Sequence, residues 1–408
     1  MTALYLYEDA TARTFDPFAL TRPVCELMAG AEIIRERWER VSGTKAAGFI
    51  GPNHLAHFHE PGAPRCLRGE EIVPAGALIA NSRFVPSLAA SLPDTAAPES
   101  ARRLNGGGAI CAIITNKSMS VSDISAELSQ VGAFAPTRSG PALAGRWLRE
   151  VWDLIVQLTE QLAEDIPHLA STVSEGSCGD AAVLGGLAVV CEEGARIEPF
   201  VVLDATAGPI LIRKGATISS FSRLVGPCYI GPNATVVGDA VRACSIGEMC
   251  KVRGEISNSV MLGYSNKGHT GFVGHSYLGR WVNLGAGTTT SNLKNTYGNI
   301  QMWTPAGIRD TGAQFLGTMF GDHVKTGIGT MLTTGTVLGA GANIYGNSTV
   351  PKYVPPFAWG NGEPYGRYEI DKFITVAQRM MERRHIELTG SGKAQLTAAH
   401  AHSGGRKT

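Results

Sequence analysis

The chain has 408 residues, which suggests two or three domains rather than one compact unit. Its 36 Lys and Arg residues nearly balance its 35 Asp and Glu residues, which argues against a protein that binds nucleic acid or an anionic membrane. The 8 cysteines are scattered singly with no CxxC pair, so we expect reduced thiols. No secretory signal or membrane-spanning apolar run is evident, and we expect a cytoplasmic protein.

Residues 1–145 have the pattern of an α/β domain. Short apolar runs at 46–50, 77–80 and 110–115 are typical of buried parallel strands, and residues 3–7 form a further β-rich run. Amphipathic spacing predicts helices over 30–40 and 120–131. Residues 146–170 then predict a helical linker arm, because apolar residues recur there at spacings of three and four, and we expect Pro167 to end it.

Residues 171–360 show a different period, in which an inward-facing side chain is expected at every sixth position. The clearest runs are Phe320, Thr326, Leu332, Leu338, Ile344, Val350 and, upstream, Phe200, Thr206, Ile212, Ile218, Leu224, Ile230, Val236. The period resumes, shifted in phase, at Ile246, Val252, Leu278, Leu284 and Thr290. A period of six fits neither a helix nor a simple strand, and it predicts stacked coils of short parallel strands. This region is therefore a predicted hexapeptide-repeat β-helix.

The C-terminal part contains one more predicted helix. Residues 361–390 include an amphipathic stretch at 371–386, which we expect to cover the last coil, since solenoids need a covered end. Residues 391–408 are rich in Gly, Ala, His and Ser, so we expect a disordered tail. The flat faces of a β-helix favour self-association about a parallel axis, which predicts a homotrimer.

One segment carries a specific family resemblance. From His269 to Asn292 the chain reads His-Thr-Gly-Phe-Val-Gly-His-Ser-Tyr-Leu-Gly-Arg-Trp-Val-Asn-Leu-Gly-Ala-Gly-Thr-Thr-Thr-Ser-Asn. This stretch resembles, without a gap, the acetyltransferase part of the bifunctional N-acetylglucosamine-1-phosphate uridyltransferase/glucosamine-1-phosphate N-acetyltransferase family. Residues 258–267, 293–298 and 16–23 resemble a variant branch with a divergent N-terminal nucleotidyltransferase-like domain. The resemblance implies a left-handed parallel β-helix after that domain.

The resemblance implies that His269 is the general base of acetyl transfer. A histidine near its ordinary pKa can take the proton of a sugar ammonium as the nitrogen attacks a thioester. His269 lies in a Gly-rich insertion that interrupts the six-residue period, and such interruptions project loops toward ligands. A turn histidine bound to water or a backbone carbonyl is the alternative. His275, one period later, is the rival base.

Further site residues follow from the same resemblance. The implied substrate ligands are Arg253, Phe272, Asn283, Asn292 and Arg242. Phe272 stands where the family usually has Tyr, so one hydroxyl is lost, and a turn or ladder role is the alternative for the asparagines. The backbone at Ala286 and Gly287 is implied to approach acetyl-CoA. Lys267 and Lys294 are further basic candidates, although a solvated surface lysine is the ordinary interpretation of each.

The N-terminal half departs from the family at its phosphate loop, because the segment that ends at Arg13 has none of the family's glycines. Arg13 and Arg22 fall near the family's basic positions and are implied to bind the nucleotide. Asn81 stands where a Mg²⁺-binding Asp is expected, with Asp9 or Asp16 as possible substitutes, so the metal ligands stay undetermined. Losing the glycine cradle removes backbone donors and predicts weak nucleotide binding.

Together these features predict a sugar-1-phosphate transferase. It would use acetyl-CoA to N-acetylate an amino-sugar phosphate, an NTP (with Mg²⁺) for nucleotidyl transfer, or both, to give an NDP-linked N-acetylamino sugar. Two alternatives stay open. One is a single-function sugar-1-phosphate nucleotidyltransferase with a structural β-helix, and the other is a non-catalytic scaffold or sensor that binds a sugar nucleotide.

Overall fold

The computed structural model describes residues 3–92, 103–130, 140–346 and 349–404. They form two compact units. The N-terminal unit is built from the described residues of Met1–Phe15, Ala19–Val151 and Thr389–Gly405, and the second unit from Asp16–Phe18 and Trp152–Leu388. Within these residues, no helix is long and apolar enough to cross a membrane.

The N-terminal unit is organised around a five-stranded sheet with strand order β4-β1-β6-β9-β8. The strands of this unit are β1 (Leu4–Tyr7), β2 (Met28–Ala29), β3 (Glu32–Ile33), β4 (Ala46–Ile50), β5 (Ile72–Val73), β6 (Leu78–Asn81), β7 (Phe84–Pro86), β8 (Arg103–Gly106), β9 (Ala109–Ile114), β10 (Met119–Ser120) and β11 (Gly145–Trp147). Strand β1 is parallel to β4 and β6, but β9 is antiparallel to β6 and β8. The predicted parallel strand at 110–115 is therefore wrong in direction, because an apolar run alone does not encode strand direction.

Three helices belong to this unit: α1 (Ile34–Ser42), α2 (Val121–Gln130) and the C-terminal α6 (Gly390–Gly404). Helix α1 packs through Trp38, which is fully buried and whose indole N–H donates to the Phe84 carbonyl at 3.0 Å. It ends at Gly43, whose φ of 65° is the left-handed conformation that glycine adopts without strain.

Helix α6 corrects the prediction of a disordered tail for residues 391–404, whereas 405–408 lie outside the described residues. Leu396 and Ala399 are buried, and the His402 ring stacks on the His54 ring with centroids 4.3 Å apart. The small side chains of this segment allow close approach to the residues around His54. An apolar stripe was therefore not needed for the helix to pack, which is why the sequence pattern missed it.

The predicted helical arm begins later than expected. Arg146 and Trp147 lie in β11, which pairs antiparallel with β7, and the helices that follow are α3 (Asp153–Val156) and α4 (Leu158–Ala170). Pro167 lies inside α4 instead of ending it. A proline removes one backbone N–H donor, and near the end of a helix this loses a single hydrogen bond, so the helix continues to Ala170. Leu158 and Leu162 are fully buried on one side of α4.

The second unit is a left-handed parallel β-helix of about 10 turns. Its strands are β12 (Ala182–Leu184), β13 (Val189–Cys191), β14 (Arg196–Ile197), β15 (Val202–Asp204), β16 (Ile210–Ile212), β17 (Thr217–Ile218), β18 (Ser222–Val225), β19 (Cys228–Ile230), β20 (Thr235–Val236), β21 (Asp239–Arg242), β22 (Ser245–Ile246), β23 (Lys251–Val252), β24 (Glu255–Ser257), β25 (Val260–Gly263), β26 (Asn266–Lys267), β27 (Phe272–Gly274), β28 (Tyr277–Arg280), β29 (Asn283–Leu284), β30 (Thr289–Thr290), β31 (Gln301–Thr304), β32 (Gly307–Asp310), β33 (Met319–Phe320), β34 (Lys325–Thr326), β35 (Met331–Leu332), β36 (Val337–Leu338), β37 (Asn343–Ile344), β38 (Tyr353–Val354), β39 (Ala358–Gly360) and β40 (Gly366–Arg367). Helix α5 (Ile370–Glu382) follows the last coil.

Three sheets form the faces of this β-helix. Face 1 has the order β12-β15-β18-β21-β24-β27, face 2 has β13-β16-β19-β22-β25-β28-β33-β36-β38, and face 3 has β14-β17-β20-β23-β26-β29-β34-β37-β39-β40. From β12 to β29 successive coils add strands to the three faces in turn, so strands three apart in sequence become neighbours; face 1 ends at β27, and β30 and β35 form a separate two-stranded sheet. The antiparallel hairpin of β31 and β32 interrupts this pattern.

The six-residue period identified most of the core. The period residues that are buried in it are Ile212, Ile218, Leu224, Ile230, Val236, Ile246, Val252, Leu278, Leu284, Phe320, Leu332, Leu338, Ile344 and Val350. Phe200 and Thr206 are exposed instead, and Val201 and Leu203 face inward there. Phe200 sits at a corner with a φ of 63°, so the inward register begins one residue later than the period suggests.

The prediction that all cysteines are reduced is wrong for one pair. Cys178 and Cys191 form a disulfide with their Cα atoms 5.5 Å apart, because the first coil folds the one over the other. The other cysteines are free and buried: Cys25, Cys66, Cys111, Cys228, Cys244 and Cys250.

Candidate functional site

A ladder of polar side chains runs along the outer surface of face 3. Lys251, Asn266, Asn283 and Lys325 occupy matching positions on β23, β26, β29 and β34, since each is the register partner of the next. Their neighbours in sequence, such as Val252 and Leu284, face the core. The alternation along each strand therefore projects one polar group per coil from the same face.

Helix α5 packs over part of this ladder. Its Phe373 ring lies 5.0 Å from the Phe357 ring and 5.7 Å from the His323 ring, while the Lys325 ammonium lies 3.5 Å from the Met380 sulfur. The end of the helix and the residues after it form one wall of a cleft of about 400 Å³. The cleft is lined by Lys251, Tyr264, Asn266, Gly268, His269, Trp281, Val282, Asn283, Met380, Arg383 and Arg384.

An aromatic stack lies at the corner between faces 2 and 3. Tyr264, Trp281 and His323 have φ values of 55°, 63° and 62°. This left-handed backbone conformation turns the chain in the same direction at the same corner of successive coils. The Tyr264 and Trp281 rings stack with centroids 4.5 Å apart, and the Trp281 and His323 rings at 6.5 Å. The Arg280 guanidinium lies over the Tyr264 ring and pairs with Glu248 at 2.7 Å. This stack is a rigid side wall for the cleft.

His269 lies in the loop between β26 and β27 and is exposed, with its ring at the cleft. The loop is held from inside by Lys267, whose Nζ donates to the carbonyls of His269 at 2.5 Å and Thr270 at 2.8 Å. Lys267 is fully buried, and desolvation lowers its pKa to about 8. The interpretation of Lys267 as a surface lysine is therefore wrong, since it occupies an inward position of the coil.

The next coil supports the same loop. Gly287, with a φ of 72°, donates its N–H to the Thr270 carbonyl at 3.0 Å, and the Ala286 carbonyl accepts from Gly329 at 2.8 Å. Ala286 and Gly287 thus stack directly on the His269 loop. On the ladder, the Asn266 side-chain amide donates to the Asn283 amide oxygen at 2.9 Å, so this contact does not use the Asn283 amino group, and Asn283 lines the cleft.

The Lys and Arg side chains that line the cleft make it positively charged. Lys251, Arg383 and Arg384 line it, and among the described residues none of the three has a side-chain hydrogen bond or ion pair. The described lining contains no Asp or Glu. Grouped like charges without a counter-charge raise the energy of the empty cleft. The arrangement is chemically suited to an anion.

Two of the predicted substrate ligands, Asn292 and Phe272, and the rival base His275 do not line this cleft. The Asn292 amide meets His275 Nδ1 at 2.8 Å, and the His275 ring stacks on Phe315. Phe272 lies on β27, on the outer side of face 1, near Asn292. Burial lowers the pKa of His275 to about 4, so its imidazole is a weak base at neutral pH.

The two predicted phosphate clamps do not line the cleft either. Arg253 is one coil from His269, but its guanidinium pairs with Asp239 at 3.4 Å. Arg242 is exposed on β21, on face 1. Lys251, two residues before Arg253, points into the cleft instead. A shift of two residues along a strand end moves a side chain around the corner from one face to another.

In the N-terminal unit, the carboxyl ends of β1 and β6 bring Asp9 and Asn81 together. The Asn81 amide donates to Asp9 at 2.9 Å. Arg83 donates to both oxygens of the Asp9 carboxylate, from Nε at 2.9 and 3.1 Å and from a terminal nitrogen at 2.5 Å. Arg22 is buried and pairs with Glu60 at 2.8 Å, so its guanidinium is committed within the unit. Arg13 is exposed.

Comparisons with known proteins find similarity to sugar nucleotidyl transferases and to bifunctional transferases. Residues 4–173 match the family described as sugar nucleotidyl transferase. The bifunctional protein GlmU of Synechococcus elongatus is 26% identical over 219 residues, covering 52% of this chain and 40% of that protein. The bifunctional sugar-1-phosphate nucleotidylyltransferase/acetyltransferase of Sulfurisphaera tokodaii is 31% identical over 168 residues, covering 40% of this chain and 39% of that protein. The chain is therefore similar to parts of these bifunctional transferases.

The matched part spans well under half the length of each of these curated relatives. A solved structure of a perosamine N-acetyltransferase mutant from Caulobacter crescentus, with CoA and GDP-perosamine, overlaps 59% of this chain and 88% of that chain. Its sequence identity is 14% and its TM-score is 0.15, a level of agreement on which no conclusion rests.

The resemblance to sugar nucleotidyl transferases implies a Mg²⁺ ion near Asn81 in the N-terminal unit. The oxygens nearest the expected position belong to Asp9 and Asn81, and Arg83 places a guanidinium directly on the Asp9 carboxylate. In the part of the chain that the structure describes, no group of three or more His, Cys, Asp or Glu side chains could hold a metal ion. A cation beside Arg83 would be repelled, so these residues do not fit Mg²⁺ in this arrangement.

The cleft residues that sequence reasoning missed include Lys251, Tyr264, Trp281, Arg383 and Arg384. Lys251 carried a signal, since it precedes the inward Val252 and so belongs to the outward ladder. Tyr264 and Trp281 also precede face 3 strands at equivalent positions of successive coils. Arg383 and Arg384 carried none, because only the packing of α5 brings them to the cleft.

Proposed function

We propose that the β-helix unit N-acetylates an amino-sugar phosphate with acetyl-CoA, as part of a sugar-1-phosphate transferase that carries a nucleotidyl transferase-like domain. The observation that carries the proposal is the convergence of His269 and Asn283 on one cationic cleft without a carboxylate. The similarity to the bifunctional sugar-1-phosphate nucleotidylyltransferase/acetyltransferase of Sulfurisphaera tokodaii supports the same chemistry.

In this reaction His269 takes a proton from the sugar ammonium, and the freed nitrogen attacks the thioester carbonyl of acetyl-CoA. The carbon–sulfur bond breaks, the acetyl group stays on nitrogen, and the CoA thiolate takes a proton as it leaves. Asn283 donates from its amino group to the sugar phosphate. Ala286 and Gly287 approach the acetyl-CoA, and Lys267 keeps the His269 loop in place through its two carbonyl contacts.

For the nucleotidyl transferase-like domain, the family match supports NTP-dependent nucleotidyl transfer. One observation favours a second candidate, the binding of a sugar nucleotide without catalysis. Arg83 engages Asp9, and through Asn81 the same network closes the edge of the sheet where a metal-bound triphosphate would lie. Pyrophosphate release from NTP and sugar 1-phosphate would support transfer, whereas nucleotide-sugar binding without release would support the second candidate.

The remaining parts of the proposal are a homotrimer and a cytoplasmic location. Face 1 exposes apolar side chains, among them Val183 and Leu184, which self-association would cover. Sugar phosphates, NTPs and acetyl-CoA are cytoplasmic metabolites. A monomeric mass in solution at micromolar concentration would contradict the trimer.

The test of the acetyl-transfer step compares two histidine variants of the full chain. His269→Ala should slow CoA release with glucosamine 1-phosphate and acetyl-CoA by about 10²–10⁴-fold, the usual effect of a positioned base. His275→Ala is the matched control and should have a milder effect, because its ring contacts Asn292 and Phe315 outside the cleft. Activity that survives in His269→Ala but not in His275→Ala would contradict the assignment.

A further inference from the structure

The cleft holds its positive charge without a counter-charge, and this sets it apart from the paired arginines elsewhere in the β-helix unit. Arg213 pairs with Glu192 at 2.6 Å, Arg223 with Asp204 at 2.6 Å and Arg280 with Glu248 at 2.7 Å. In contrast, Lys251, Arg383 and Arg384 meet across one cleft with no partner in the residues that the structure describes. A folded protein keeps such a cluster only where its electrostatic cost is small or an anion offsets it.

The three cations come from two separate elements. Lys251 extends from β23 on face 3, whereas Arg383 and Arg384 directly follow α5, which is held by Phe373 and Met380. Two arginine forks and one ammonium on opposite walls suit an oxyanion that accepts hydrogen bonds on several sides. The Asn283 amide adds a neutral donor on the same surface.

We infer that Lys251, Arg383 and Arg384 form a phosphate-binding subsite, and that the α5 segment is thereby part of the substrate site. The inference rests on the proposed function for the identity of the ligand, and it deepens that proposal by replacing Arg253 and Arg242 as the phosphate-binding groups. The chemistry required is a phosphate or diphosphate group. Two sources carry it, the sugar phosphate and the CoA diphosphate.

The test is direct binding to the purified full chain by calorimetry, which does not depend on turnover. The probes are inorganic phosphate, pyrophosphate, glucosamine 1-phosphate, CoA and, as a ligand without phosphate, glucosamine. The Arg383→Gln/Arg384→Gln double variant should weaken pyrophosphate binding by about 10- to 100-fold, the effect of losing hydrogen bonds to a charged group. Binding in wild type should also weaken with added salt.

The matched control is Arg379→Gln, which removes an exposed arginine of α5 that does not line the cleft. It should bind every probe as wild type does. Equal losses in Arg379→Gln and in the double variant would show general surface attraction and overturn the subsite. So would unchanged pyrophosphate affinity in the double variant, or wild type that binds none of the phosphate probes at millimolar concentration.

The probe panel separates the two phosphate sources. A loss confined to glucosamine 1-phosphate assigns the subsite to the sugar phosphate, and a loss confined to CoA assigns it to the acetyl donor. Failure of the proposed function has a different signature. If wild type releases no CoA while the double variant still loses phosphate affinity, the acetyl-transfer proposal fails and the phosphate subsite stands.

Discussion

In the N-terminal unit Arg35 is buried among carboxylates, whereas Arg383 and Arg384 in the β-helix unit face a cleft that lacks them. The Arg35 guanidinium contacts Glu26 at 2.6 Å and Glu39 at 3.1 Å, and all three side chains are at least nine-tenths buried. Arg22 and Glu60 form another such pair. The cleft arginines have no comparable partner among the described residues.

The difference separates structural charges from charges that are available to a ligand. A buried ion pair that is fully hydrogen-bonded holds elements together, and removing one partner leaves the other charge uncompensated. Unpaired surface cations contribute little to folding and repel one another. The two regions should therefore respond to charge removal in opposite ways. The N-terminal unit should lose stability, and the β-helix cleft should lose ligand affinity.

The largest expected effect is that of Arg35→Met. It should destabilise the N-terminal unit by about 3–5 kcal/mol, because Glu26 would stay buried without its counter-charge, whereas Glu39 keeps its ion pair with Lys45. Urea unfolding followed by near-UV circular dichroism measures the change. A decrease in the free energy of unfolding of less than about 1 kcal/mol, the contribution of a surface ion pair, would contradict the structural role of Arg35.

Lys267→Met tests a β-helix charge that is satisfied rather than free. It should destabilise the coil locally by about 1–3 kcal/mol, since the carbonyls of His269 and Thr270 lose a buried donor. Hydrogen exchange in residues 268–271 should accelerate while exchange in distant coils stays unchanged. Lys251→Met is the control, because Lys251 has no such contact and should leave this exchange unaltered.

Glu8 differs from the paired charges of the N-terminal unit. Its carboxyl group is fully buried, and one of its oxygens lacks a hydrogen-bond partner in the described structure. Desolvation raises its pKa from 4.5 to about 8. Between these values the unfolded chain is ionised and the folded chain keeps the proton, so stability should fall as pH rises, by about 1.4 kcal/mol per pH unit from this group. Glu8→Gln should remove that slope.

The measurement for Glu8→Gln is the midpoint of thermal unfolding from pH 5 to pH 9. We expect the variant to match wild type near pH 5 and to exceed it near pH 9. A wild-type midpoint with the same pH dependence as the variant would show that Glu8 ionises normally.

The smallest expected effect is on the stability of the Arg384→Gln variant. Removing one of several like charges should change the free energy of unfolding by less than about 0.5 kcal/mol, with a slight gain at low salt. The same urea experiment measures it. A loss comparable to that of Arg35→Met would mean that Arg384 is structural and would remove the contrast between the two regions.

Much of the fold was predictable because its signals are local. The period of six located inward residues such as Ile230 and Leu338, since every coil must bury an aliphatic side chain against its neighbours. The same signal failed at Phe200, where a left-handed corner shifts the register by one residue. Helix α6 escaped prediction because its packing uses small side chains rather than an apolar stripe.

The candidate site was predictable only in part. The loop around His269 and the amide of Asn283 follow from one continuous stretch of sequence, and the structure brings both to the cleft. Phe272 and Asn292 belong to the same stretch but lie around a corner with His275. A linear motif does not specify which face of a prism each residue occupies.

By itself the sequence determined the two kinds of domain, the β-helix and its inward residues, because repeat spacing and local resemblance act over short distances along the chain. Tertiary structure decided which charges are paired and which are free. Arg22 and Arg253 form ion pairs with carboxylates that lie elsewhere in the sequence. Lys251 lines the same cleft as Arg383 and Arg384 only because α5 folds back over face 3. Electrostatic energy depends on distance in space, and that distance is set by packing.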